Sequence, residues 1–138
     1  MEEHPIDTEE LRAVAQSGDL PAVVELVARG CAVNGFDDLG KTPLHYAVEH
    51  GHLAVAAFLI QAGADVNAHD ERCISNTPLG EVAATCSLEI AVLLVEAGAD
   101  PTIPGWMRLT ALDKACRRTR GDGPAVCDLL REAAKGHS

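Results

Sequence analysis

Apolar residues fall along the chain in short clusters with helical spacing, and each cluster ends at a glycine or a polar turn. Leu44, Ala47 and Val48 stand at i, i+3 and i+4, one face of a short helix. Thr42-Pro43 just before them supplies a hydroxyl N-cap and a proline at the first helical position, where its missing N–H costs nothing. Gly51 stops this helix. Val55, Ala56, Leu59 and Ile60 mark a second, which Gly63 stops, and Gly63-Ala64-Asp65-Val66-Asn67 turns the chain away. The stretch from Gly40 to Asn67 thus reads as helix–turn–helix–loop, within a unit of about 33 residues. Helix pairs this short cannot bury their apolar faces alone, so the unit predicts stacked neighbours.

The neighbours are there. Thr77-Pro78-Leu79 repeats Thr42-Pro43-Leu44 after 35 positions, and Gly98-Ala99-Asp100 repeats Gly63-Ala64-Asp65 at the same offset. Thr110-Ala111-Leu112 follows Thr77 by 33, and Gly30-Cys31-Ala32-Val33-Asn34 precedes Gly63 to Asn67 by 33. Helices are predicted near 8–17 and 20–29, with apolar faces Leu11, Val14, Ala15 and Val23, Leu26, Val27. Two more are predicted near 78–85 and 88–97. The last pair carries Leu112, Ala115 and Cys116, then Val126, Leu129 and Leu130, with Pro124 starting its second member. Glu9, Glu10, Arg12 and Gln16 at one end, and Arg131, Glu132 and Lys135 at the other, give the polar outer skins that terminal repeats need.

T-P-L-H-x-A stands intact as Thr42 to Ala47, and G-A-D-V-N as Gly63 to Asn67. On these motifs and offsets the chain resembles the ankyrin-repeat family, over about residues 7 to 134. The resemblance implies an all-α solenoid of four stacked helix-turn-helix repeats, near 7–36, 37–69, 70–104 and 105–134, with β-hairpin fingers and terminal repeats acting as caps. It implies one domain over 1–138, used mainly to bind other proteins. The third repeat departs from the pattern. Two extra residues lengthen its finger between Asp70 and Thr77, Gly80 replaces the motif histidine, and Cys86 stands where Gly51 stood. Loss of that histidine should remove hydrogen bonds between neighbouring fingers. In the fourth repeat Arg120 to Pro124 lengthens the turn between helices.

Composition narrows the partners. Apolar residues are 47% but aromatics only 3%, so the core must be thin layers of Ala, Val, Leu and Ile. The net charge of −10 disfavours nucleic acid and anionic membrane surfaces. Residues 1–70 hold twelve acids against three bases, and the remainder nine against eight. Arg108, Lys114, Arg117, Arg118 and Arg120 crowd one stretch whose only acid is Asp113. The five cysteines are odd in number and form no C-x-x-C, so neither a disulfide framework nor a zinc site is indicated, and Cys116 reads as a small buried thiol. Five free thiols would suit a reducing, cytoplasmic setting. Met1 to Pro5 lacks the regions of a signal peptide, and no apolar run is long enough to span a membrane.

No catalytic constellation stands out. His45, His50, His52 and Glu49 lie close together, but His45 is the histidine of the family motif, and Gly51-His52 is a usual start for the second helix. The paired acids Asp37-Asp38 read as a solvated finger. No H-E-x-x-H, G-x-S-x-G or phosphate-binding loop occurs, so neither enzyme activity nor a metal or cofactor is expected. Function must lie in surface. By position, the resemblance exposes Asp38, Leu39 and Lys41, then Cys73, Ile74 and Asn76, then Trp106, Met107 and Leu109 on the fingers. On the first helices it exposes Tyr46, Glu49 and His50, then Glu81, Ala84 and Thr85, then Lys114, Arg117 and Arg118. Each alone is an ordinary surface residue, yet the single Trp and the single Tyr both fall on this face, and aromatics with Arg are the usual anchors of interfaces. Trp106 either stands out on the fourth finger or folds back over the last repeat. Arg108 replaces Gly40 there, so the turn should lack glycine's access to positive φ. The expected role is a non-catalytic protein, monomeric when free, that occludes or scaffolds a partner. The alternatives are a bacterial immunity protein masking a basic toxin, and a self-associating structural protein.

Overall fold

The computed structural model describes residues 8–37, 39–69 and 76–136, and of Thr8 and Trp106 the backbone alone. Among them run α1 (Thr8–Ser17), α2 (Leu20–Ala28), α3 (Pro43–Glu49), α4 (Leu53–Gln61), α5 (Pro78–Val82), α6 (Leu88–Glu96), α7 (Ala111–Cys116) and α8 (Gly123–Lys135), with a 3-10 turn at Trp106–Arg108 and no strand. Local chemistry explains the starts. Asp19 accepts from the N–H of Ala22 at 3.3 Å, Thr77 Oγ1 from Gly80 at 3.0 Å, and Ser87 Oγ from Ile90 at 3.3 Å. At α7 the cap is reciprocal. Asp113 N–H donates to Thr110 Oγ1 at 3.0 Å, and Thr110 N–H donates to Asp113 Oδ2 at 3.1 Å. These bonds hold the Asp113 carboxyl below its ordinary 3.8.

The one helix that falls well short of expectation is α5. Gly51 closes α3 at φ 73°, whereas Cys86 in the matching place has no positive φ. Without that left-handed residue the chain leaves the helix at Val82, and Thr85 and Cys86 bond back to the Val82 carbonyl instead.

The first helices of the repeats pack in one row, α1 on α3, α3 on α5 and α5 on α7. The second helices form another, α2 on α4, α4 on α6 and α6 on α8. Leu11, Leu44 and Leu79 are wholly buried in the first row, and Leu59, Leu94 and Leu130 in the second. Each such leucine contributes roughly 1.5–3 kcal/mol. The all-α stacked architecture read from the motif is the one observed.

Polar side chains bind the layers in register. Asn34 Nδ2 donates to the Gly63 carbonyl at 3.1 Å while its Oδ1 accepts from Asp65 N–H at 2.7 Å. Asn67 does the same one repeat on, to the Gly98 carbonyl at 3.2 Å and from Asp100 N–H at 2.7 Å. His45 is wholly buried. Its Nδ1 accepts from Thr42 N–H at 3.0 Å, and its Nε2 lies 2.7 Å from the Asn76 carbonyl of the next repeat. A carbonyl can only accept, so Nε2 carries the proton and the ring is neutral. Gly80 has no such side chain, but the tie is not lost. Lys114 of the next repeat reaches back, and its Nζ donates to the Gly80 carbonyl at 2.6 Å. Arg118 likewise donates to the carbonyls of Ala83 and Cys86 at 3.2 and 2.9 Å.

The fingers differ from the expected β-hairpins. Each described one is a turn closed by two backbone bonds, Asp37 N–H to the Lys41 carbonyl and Gly40 N–H to the Asp37 carbonyl at 2.9 and 3.0 Å, and Gly105 N–H to the Leu109 carbonyl and Arg108 N–H to the Gly105 carbonyl, both 2.9 Å, with no ladder. The third finger's tip lies outside the described residues. In the fourth, Arg108 does take the left-handed conformation expected to be closed to it, at φ 59° against 75° for Gly40, and Met107 joins it at 58°. Each such residue costs about 1–2 kcal/mol.

The cysteines bring a second correction. Cys116 and Cys127 form a disulfide between α7 and α8. The turn lets these helices pack antiparallel, and that places the two Cα atoms 4.7 Å apart. Cys31 and Cys86 are buried thiols. The count of five free thiols is therefore wrong, and the inference of a reducing compartment drawn from it loses its support.

Three measurements follow. Leu59→Ala should destabilise by about 2–5 kcal/mol, read by denaturant melts; a negligible loss would mean the layer register is misassigned. The denatured, unreduced chain should titrate two fewer thiols than after reduction, and reduction should cost about 2–3 kcal/mol for an 11-residue separation. Equal counts would remove the bond. Burial holds His45 below its ordinary 6.5, although the Asn76 carbonyl and Glu81 favour the charged form. The unfolded chain therefore takes up this proton first as pH falls, so stability should decline below about 6.5 and continue down to the folded value. The melting temperature should drop over that window and the drop should shrink in His45→Asn; a flat profile in the wild type would contradict a neutral buried ring.

Candidate protein-binding face

The sequence-predicted binding residues lie on the fingers and on the first helices, and the structure divides them by how they are held. Around the finger of the second repeat they interlock. Asp37 Oδ1 accepts from the N–H groups of Leu39 and Lys41, both at 2.9 Å, and shapes the turn. Its Oδ2 takes a short hydrogen bond from the Tyr46 hydroxyl and lies 3.9 Å from Arg12 Nε. Lys41 Nζ pairs with Glu49 at 2.8 Å and sits 5.4 Å from the centre of the Tyr46 ring. Arg12 also donates to the Gly35 carbonyl at 3.3 Å. Five side chains from α1, the finger and α3 thus fix one another.

The electrostatics follow from that mesh. Burial alone would raise the Asp37 carboxyl, but hydrogen bonds from Tyr46, Lys41 and Leu39, with Arg12 nearby, outweigh it and hold it below 3.8. Burial would lower Lys41, and the bond and charge of Glu49 raise it past 10.5 instead. Burial and Asp37 together push the Tyr46 phenol up to about 12. A phenol so held exchanges no proton near neutrality. Beside it runs a groove of about 320 Å³ lined by Glu9, Arg12, Gln16, Asp37, Leu39 and Tyr46.

Sequence reading treated Asp37 as solvated and assigned Arg12 to the polar outer skin of the first repeat. The usable signal was an Asp two residues before Leu39-Gly40, where its carboxylate can close a turn on following N–H groups. The remaining predicted residues scatter by role. Asn76 donates to Glu81 at 3.4 Å. Lys114 and Arg118 are half-buried and engaged with carbonyls of the preceding repeat. Burial lowers Lys114, with Glu81 opposing. Ala84, Thr85 and Arg117 are exposed, and Leu109 is half-buried. His50 is exposed and stacks at 6.3 Å from His52, whose Nε2 bonds the Gln16 carbonyl at 2.9 Å. Asp38, Cys73 and Ile74 lie outside the described residues, as does the Trp106 side chain.

Two large apolar side chains stand out at the tips. Leu39 is 65% exposed and Met107 67%. Leu39 rests on the Asp37-closed turn, and Met107 on the strained left-handed pair.

Residues 11–70 match the family model described as ankyrin repeats in three copies. Over 128 residues the chain is 34% identical to the mouse nuclear factor NF-kappa-B p105 subunit, covering 90% of this chain and 13% of that protein. It is 52% identical over 60 residues to a human Arf-GAP with coiled-coil, ANK repeat and PH domain-containing protein 3, covering 42% of the chain and 7% of that protein. The human protein phosphatase 1 regulatory subunit 27 is 37% identical over 68 residues, 49% of the chain and 44% of that protein. The chain therefore spans less than half the length of each of these relatives. With its T-P-L-H helix start, its asparagine-bracketed layers and these matches, the chain belongs to the ankyrin-repeat family.

Proposed function

We propose that this chain is a non-catalytic module that holds a partner protein against its fingers and first helices, and thereby occludes or scaffolds it. Ankyrin repeats generally mediate protein–protein interaction. The observation that carries the reading to particular residues is the fourth fingertip. Two non-glycine residues sit there at φ 58° and 59° beneath a mostly exposed thioether. Strain of this kind persists where surrounding structure over-determines it, and such places cluster at sites of recognition. The polar mesh around Asp37 holds Leu39 in the same fixed manner. Apolar groups on rigid turns lose little freedom on binding. The printed names of the relatives, among them a regulatory subunit of a phosphatase, agree with action through binding.

Charge favours a partner that is basic where it meets the first two repeats, since residues 1–70 carry twelve acids against three bases. Masking of a toxin by an immunity protein is the special case in which that basic surface is the toxin's working face.

Immobilised chain, exposed to extract of its native host, should retain a protein that Leu39→Asp/Met107→Asp does not. With that protein purified, the double variant should bind about thirtyfold or more weaker, as hot-spot loss of about 2 kcal/mol requires, with its melting temperature little changed. Equal retention by both chains would remove the tips from the interface. Light scattering that gives an oligomer of the isolated chain would favour self-association instead.

A further inference from the structure

The turn between α7 and α8 carries three arginines that form no ion pair among the described residues. Ala84, Arg117, Arg118, Thr119 and Arg120 line a hollow of about 420 Å³ there. The carboxylates nearest in sequence are engaged elsewhere. Asp113 caps α7 by bonding Thr110, and Asp122 Oδ2 accepts from Leu88 N–H at 2.8 Å. Among the described residues none of the three arginines has a carboxylate within ion-pair distance. Arg118 donates to two carbonyls, which position its guanidinium but leave its charge uncompensated.

The turn is also held firmly. The Cys116–Cys127 disulfide closes it from both sides. Gly123 packs so near Arg118 that a Cβ in its place would stand 2.4 Å from Arg118 Cβ. Gly121 makes the bend at φ 59°. A guanidinium presents its N–H donors in a planar fork that matches the two oxygens of a carboxylate, and pre-positioned forks bind with little ordering cost.

We propose that this turn is a second recognition site, which takes the carboxylate side chains of an acidic segment of a partner protein. The twelve acids against three bases of residues 1–70 repel a nucleic acid strand or an anionic membrane extended enough to reach them, while a short acidic segment meets only the local arginines. The site shares no residue with Leu39 and Met107, so this proposal and the fingertip reading fail separately.

The test uses a fluorescein-labelled peptide of alternating aspartate and glutamate, read by anisotropy in low-salt buffer. The wild type should bind it, and Arg117→Gln/Arg120→Gln should bind about tenfold or more weakly. The melting temperature of that variant should stay unchanged, because both side chains are exposed and hold nothing together. Leu39→Asp/Met107→Asp should bind the peptide as the wild type does. No binding by the wild type, equal binding by the arginine variant, equal binding of an uncharged control peptide of alternating asparagine and glutamine, or stronger binding of a single-stranded oligothymidylate of the same length would each overturn the proposal.

Discussion

Every layer of this protein is too thin to stand by itself, so the fold rests on what passes between layers. The recurrent contact is a single asparagine that gives one hydrogen bond and takes another across the interface. Asn34 brackets the Gly63–Asp65 segment, and Asn67 brackets Gly98–Asp100. A side-chain amide can serve both a carbonyl and an N–H at once, which no hydroxyl or carboxylate does with the same geometry. It therefore sets spacing and register together, while the stacked leucines supply the driving force without specifying position. The matching position in the next repeat is Thr102, and its hydroxyl turns back to Asp100 within its own loop at 2.6 Å. The bracket is absent where no further helix pair follows among the described residues.

What could be read from the sequence was whatever depends on neighbours in the chain. Caps at Thr42, Thr77 and Thr110 and the stops at Gly51 and Gly63 concern adjacent residues, and the helices begin and end beside them. The early end of α5 and the left-handed Met107–Arg108 pair are local departures, and the other failures are long-range. Lys114 replaces the missing histidine of the third repeat from 34 positions away. The Cys116–Cys127 bond has no spacing motif and arises only once α7 and α8 lie antiparallel across their turn. Asp37 looks solvated beside another acid until Arg12 and Tyr46 arrive from helices on either side of the finger. The candidate face was legible as a set of positions, but not the division of those positions between holding repeats together and remaining open.

That division is what the proposed binding role rests on. Most polar groups on the face, from Arg12 to Arg118, already satisfy one another or a carbonyl of the adjoining repeat. A partner that replaced those bonds would gain little, since it would exchange one set for another. Groups with no such internal role, the apolar tips Leu39 and Met107 and the exposed Arg117 and Arg120 of the last turn, can form new contacts without undoing old ones.

A stack keeps its charges in order along its length, because each repeat touches only the next. Packed helices lie about 8–10 Å apart, so first and last layers of four are separated by roughly 25–30 Å. That exceeds the Debye length of about 8 Å at physiological salt. The acidic first two repeats and the basic last turn therefore do not cancel in the field that a nearby molecule meets. Each end acts as its own surface, and a net charge of −10 describes neither. A partner with basic and acidic regions at matching separation would be turned into alignment before the fingers touch it. One whose charge is of a single sign would be attracted at one end and repelled at the other, which makes the order of charges along the axis a filter on orientation as well as on identity.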